Sequence, residues 1–266
     1  MFIKRLISGI VLLIILAAGL ILGGNFLLFL LEVVSLVGLF EIYRLGKVSK
    51  NLLGLVGYVG SIMYYLLIKF ANGQYLMPAI VCVFILMAGV YVFLFPRFNI
   101  RQVCMAFFGF FYVSVLLSYV LQIRMMTDGK HLVWLVIIAS WGSDIFAYCV
   151  GMLFGKTKMA PKLSPKKSVE GAIGGLVGAG VIGLIYALIV NAVVGTDWNV
   201  FLILAICVIG ALVSMIGDLT ASAIKRNFEI KDFSNLIPGH GGILDRFDSV
   251  IMIAPIVFYF LILINR

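Results

Sequence analysis

A chain of 266 residues that is 64% apolar and 12% charged, with a mean hydropathy of +1.20, lies far outside the composition of soluble globular domains. Its formal charge of +9 has an ordinary source in membrane orientation and attraction to anionic headgroups, and nothing in its distribution supports nucleic-acid binding. The apolar runs lack the alternation of an outer-membrane barrel, so the expected fold is an all-α polytopic integral membrane protein.

Runs long enough to cross a hydrocarbon layer of roughly 30 Å as helices recur along the chain. They predict nine spans, at residues 6–23, 25–43, 52–70, 76–95, 103–123, 131–154, 171–190, 198–217 and 249–264. Only Gly23, Gly24 and Asn25 separate the first two, which form either a tight hairpin or one long bent helix. The first span reads as a retained helix, because no small-x-small cleavage site leading into polar sequence follows it. If the spans alternate sides, 16 of the 20 Lys and Arg residues fall on one side. The positive-inside rule then puts the amino terminus and the polar loops after spans two, six and eight in the cytoplasm, with the carboxyl terminus outside. Cys82, Cys104, Cys149 and Cys207 are isolated within apolar runs, which predicts neither a disulfide framework nor a structural zinc site. No internal repeat is evident, which counts against a transporter built from inverted halves.

A carboxylate in lipid is costly unless paired or metal-bound, and this singles out Glu32, Asp144 and Asp218. Glu32 has only an interhelical hydrogen bond or a dimer contact to offer. Asp144, in the run WGSDIFAYCVG, lies about 11 residues, or roughly 16 Å, from the cytoplasmic end of its helix. Asp218, Ser222, Lys225 and Arg226 share one face of a helix that continues beyond the eighth span to Arg226. The plainer alternative for Asp218 is a helical ion pair with Lys225 or Arg226.

Pro238, Gly239, His240, Gly241 and Gly242 cannot continue a helix and form a loop whose backbone can approach a ligand closely. The helix after it starts near Ile243 and turns Asp245 and Asp248 the same way, beside Arg246. Together with Asp218 these oxygen donors, with no Cys or second His nearby, suit Mg2+ better than zinc. Magnesium holding carboxylates and phosphate oxygens together is the usual arrangement for phosphoryl or nucleotidyl transfer. The alternative is that Asp245 and Asp248 cap a helix and pair with Arg246, and that His240 is a local hydrogen-bonder. The loop Gly155 to Glu170 carries five lysines and two prolines and by default faces anionic headgroups. Because it follows the Asp144 helix, Lys166 and Lys167 can close over bound phosphates. Gly171, Gly174, Gly175, Gly178 and Gly180 predict close helix packing.

Ser222, Lys225, Arg226, Lys231, Asp232, Pro238, Gly239, His240, Gly241, Gly242, Asp245, Arg246 and Asp248 resemble the signature of the CTP:phosphatidate cytidylyltransferase, or CDP-diacylglycerol synthase, family. Trp141, Asp144, Ala147 and Tyr148, and the run Ser164, Pro165, Lys166, Lys167, Ser168, Glu170 and Gly171, are similar to the same family. The likeness covers the carboxyl-terminal half, and the first 120 residues match only in being hydrophobic; residues 1–123 are expected to serve as scaffold and dimer contact and residues 124–266 to carry the catalytic site. The resemblance implies transfer of CMP from CTP to phosphatidic acid, a homodimer, and Mg2+ with room for a second cation. Carried onto this chain, it makes Asp144, Asp218, Asp245 and Asp248 metal ligands. Ser222, Lys225, Arg226, Lys231, Asp232, His240 and Arg246 become catalytic, and Lys166 and Lys167 bind the nucleotide phosphates. A bacterial inner membrane, with the site facing the cytoplasm, is the expected location. A CTP-dependent lipid kinase, a cation transporter using Asp144 and Asp218, and a structural membrane subunit are the rival readings.

Overall fold

The computed structural model describes residues 2–237, 239 and 241–264, with side chains from Ile7 to Leu263; the expectations for Pro238 and His240 lie outside the described residues. Among the described residues the chain forms nine helices: α1 (Phe2–Leu22), α2 (Gly24–Leu45), α3 (Leu52–Phe70), α4 (Leu76–Phe93), α5 (Ile100–Arg124), α6 (Gly129–Phe154), α7 (Val169–Val194), α8 (Val200–Asn227) and α9 (Leu244–Ile264). From α2 to α9 each is long and apolar enough to cross a membrane, and α1 contributes a shorter described apolar stretch, Ile7–Leu22. The protein is an all-α polytopic membrane protein. The two strands among the described residues form an antiparallel hairpin between α6 and α7, β1 (Lys158–Ala160) paired with β2 (Ser164–Ser168). The basic loop of the sequence is therefore a folded ribbon.

Local chemistry sets the helix ends. Asn51 and Asn199 accept hydrogen bonds from the first free amides of α3 and α8, and Asn99 with Gln102 forms a reciprocal capping box on α5. Between α1 and α2, Gly23 and Gly24 both take positive φ, 64° and 55°, a conformation that side chains disfavour. Gly19 of α1 faces Leu27 and Leu30 of α2 across this break, so the junction is a hairpin and not a bent helix.

The chain divides into two compact units, Met1–Gln122 with Asp232–Arg246, and Ile123–Lys231 with Phe247–Arg266. In the first, α2 packs against α1, α3 and α5. Tyr43 of α2 is fully buried, donates to the Ala106 carbonyl at 2.8 Å, and is flanked by Gly57 and Gly109, where a side chain would run into its ring. Glu32 accepts from Ser61 at 3.1 Å, an interhelical hydrogen bond and so the first of the two roles expected of it.

In the second unit α7 is the shared partner of α6 and α8. The glycines of α7 do what their spacing predicts. Gly171, Gly174, Gly175 and Gly178 lie against α6, and Gly180 lies against Val208 of α8. Helices gain little from expelling lipid, so small residues that bring backbones together supply the packing. A π-helical turn, Ile138–Gly142, packs α6 against both α7 and α8 just before Asp144. One extra residue in a turn rotates everything after it by about 100°, so Asp144 emerges on a face that uniform helical spacing does not foretell.

Gly174→Ala, whose new methyl would sit 2.5 Å from Val150, should lower the thermal midpoint in detergent by an amount equivalent to about 1–3 kcal/mol. Gly89→Ala, with nothing within 4 Å, should be neutral or stabilising, and equal losses at the two positions would contradict this packing.

Candidate active site

The eighth helix runs through Arg226 to Asn227, as the sequence suggests, and carries Asp218 on its last three turns. Immediately before Asp218, Gly217 lies so close to α9 that a Cβ there would be 2.8 Å from the Asp248 carbonyl oxygen. The neighbouring Ser249 hydroxyl points to the Ser214 carbonyl, 3.4 Å away. This backbone contact brings the carboxylates of Asp218 and Asp248 within electrostatic reach of each other, and Asp144 of α6 lies within reach of both. Like charges gathered near lipid need cations. Lys167 of β2 supplies one, its Nζ 2.6 Å from Asp218 Oδ2, and Lys225 lies within electrostatic reach of Asp248. Asp248 is 8% exposed and also accepts its neighbour Ser249's amide at 2.8 Å.

Lys167 is delivered by the hairpin, which is pinned at its root. The Glu170 carboxylate accepts from the amides of Lys156 and Thr157 at 3.1 Å each, and Ser168 caps α7 by accepting from Gly171 N at 3.1 Å. A cavity of about 390 Å³ opens beside this cluster. Asp144, Lys166, Lys167 and Ser168 form its polar wall, and Tyr148, Met152, Met159 and Met215 its apolar one. Such a pocket can take a molecule with an anionic head and a hydrocarbon tail.

Asp245 sits differently. Its Oδ2 accepts from the amides of Phe233 and Gly242, both at 2.9 Å, so this carboxylate ties the glycine loop to the start of α9. Gly241 takes φ +84°, and a side chain there would press on the same carboxylate. Ser222, Lys225 and Arg226 follow Asp218 on α8, with Arg226 exposed. Lys231 and Asp232 are exposed in the segment after α8, and Arg246 is half-buried in the first turn of α9. Among the described residues, no three His, Cys, Asp or Glu side chains stand close enough to share one ion as they are.

Sequence reasoning missed Glu41 of α2. It is 1% exposed, and its carboxylate accepts from the amides of Ile243 and Leu244, both at 2.9 Å, and from the Ser234 hydroxyl. The signal was present, because Glu41 is a carboxylate in an apolar run just as Glu32 is; its partners, about 200 residues away, were not legible.

Residues 3–264 match the sequence model of the Cytidylyltransferase family. The chain belongs to the cytidylyltransferase family. Similar proteins include the phosphatidate cytidylyltransferase of Bacillus subtilis (strain 168), 31% identical over 155 residues that cover 58% of this chain and 56% of that protein. The Rickettsia felis phosphatidate cytidylyltransferase is 35% identical over 158 residues, covering 58% of this chain and 69% of the relative. For the Haemophilus influenzae phosphatidate cytidylyltransferase the values are 38% over 134 residues, 50% and 46%. The chain thus spans from just under half to about two thirds of the length of these cytidylyltransferase relatives.

Ser168→Ala removes the cap that fixes the hairpin to α7, at a cost of about 1 kcal/mol. Amide exchange followed by mass spectrometry should quicken in residues 156–171 and stay unchanged in α8; unaltered exchange at the hairpin would show that Ser168 does not hold it.

Proposed function

We propose that this protein transfers CMP from CTP to phosphatidic acid, releasing pyrophosphate and forming CDP-diacylglycerol, at the cytoplasmic face of a bacterial inner membrane. The observation that carries the reading is the cluster of Asp144, Asp218, Asp248, Lys167 and Lys225 beside a cavity with one polar and one apolar wall. The names of the relatives agree with it.

The donor set fits Mg2+ in kind. It consists of carboxylate oxygens from three helices, the hard oxygen donors that Mg2+ takes. Asp218 and Asp248, with Asp144 beside them, would hold the ion, and a second cation would draw on the same carboxylates. When bound, Mg2+ would neutralise charge on the CTP phosphates. The two hydrogen bonds that Asp245 Oδ2 accepts suit it to holding the loop, and we assign it that role ahead of metal ligation.

In the reaction an oxygen of the phosphatidate phosphate attacks the α-phosphorus of CTP, the bond from that phosphorus to the β-phosphate bridging oxygen breaks, and pyrophosphate leaves. A phosphate monoester is already anionic near neutral pH, so no general base is required. Lys167 can exchange Asp218 for a phosphate oxygen, and Lys166 at the cavity wall can bind beside it. Lys225, with Arg226, would offset charge on the leaving pyrophosphate or the lipid headgroup, and Ser222 would donate to a phosphate oxygen. The Tyr148 and methionine wall would receive the acyl chains.

Purified protein given CTP, phosphatidic acid and Mg2+ should yield CDP-diacylglycerol and pyrophosphate, and a chelator should stop it. Phosphorylated lipid with CDP would instead identify a lipid kinase. Asp248→Asn and Asp218→Asn should each lower kcat by about 100-fold or more while leaving a folded protein in detergent. More than half the activity in either variant would remove that residue from the centre.

A further inference from the structure

The acidic groups of the candidate site lie on α6, α8 and α9, and the first unit contains a further buried acid with an unusual set of partners. Glu41 is almost fully buried on α2 and takes three hydrogen bonds from one short stretch of chain, from the Ser234 hydroxyl at one end and from Ile243 N and Leu244 N at the other. Those two amides belong to the start of α9, where backbone donors have no partner within the helix. One turn along α2, Arg44 donates to the Phe233 carbonyl at 3.3 Å, and the Phe233 amide is held in turn by Asp245. Gly242 completes the fit, since a Cβ there would lie 2.5 Å from Glu41 Oε1.

A carboxylate that closes both ends of the 234–243 loop does more than fill a gap. It fixes the point at which α9 begins and its rotation about its own axis. The same helix carries Asp245 in its first turn and Asp248 in its second. Rotation by one residue would swing these carboxylates by about 100°. We propose that Glu41 is a positioning residue, a clamp on α2 that sets the start and rotation of α9 and so aims Asp248 for the transfer reaction. Its activity readout rests on the function proposed above; its structural readout does not.

Gln at position 41 presents one acceptor oxygen and an amide donor to two backbone donors, so one of Ile243 N and Leu244 N loses its partner. Glu41→Gln should therefore lower kcat by about 10- to 100-fold with KM for CTP within twofold, because the reacting groups are misaligned while the nucleotide still binds. It should also speed amide exchange in residues 243–248. Gly242→Ala pushes the same contact apart from the other side and should reproduce both effects. In a Glu41→Ala background the added methyl should cost nothing further, as coupled sites require. Glu32→Gln, which removes the other buried carboxylate of α2, should leave kcat and the 243–248 exchange as in the parent.

Wild-type kcat and wild-type exchange in Glu41→Gln would overturn the proposal, as would an equal kcat loss in Glu32→Gln. If Glu41→Gln does not yield folded protein, Gly242→Ala and its double variant decide the matter alone. If the parent protein makes no CDP-diacylglycerol, the proposed function falls, and exchange at 243–248 still tests the clamp.

Discussion

The backbone contact between α8 and α9 at Gly217 is the constraint around which the candidate centre is organised. A glycine is needed there because the Asp248 carbonyl leaves no room for a side chain, and the contact sets two acids from different helices within each other's field. In an apolar setting such a pair is unfavourable on its own. The structure meets the cost with lysines, one of them carried on a ribbon outside the helices. The hairpin anchored by Glu170 and Ser168 is thus part of the electrostatics of the site and not a connector.

Small residues recur wherever the second unit brings charge together. Gly171 and Gly175 draw α7 onto α6, which carries Asp144, and Gly180 draws it onto α8, which carries Asp218. Close helix packing in lipid is the means by which a flat, hydrophobic chain gathers acids that are 74 and 30 residues apart in sequence, from Asp144 to Asp218 and from Asp218 to Asp248. The chain that gathers these acids belongs to the cytidylyltransferase family.

The glycine loop and its neighbours show a second use of carboxylates. Asp245 and Glu41 accept backbone amides and hold chain to chain, whereas Asp218 and Asp248 face other charged side chains. Residue type alone does not separate these roles. The distinction rests on whether an acid's neighbours are amide donors, which satisfy it in place, or other acids, which leave charge to be balanced from outside.

By itself the sequence determined the class of fold, the helices, the position of the polar segments and the identity of the charged residues, because hydropathy over about 20 residues and helical spacing are local properties. Asp218, Ser222, Lys225 and Arg226 could be placed on one extended helix for that reason. Only the tertiary structure decided that Lys167 reaches Asp218, that the basic loop is a β-ribbon, and that a π turn redirects Asp144. It also decided that Glu41 meets Ile243 and Leu244. Each of these depends on contacts between segments distant in the chain, set by side-chain volumes and backbone approach, and no periodicity within one segment carries that information.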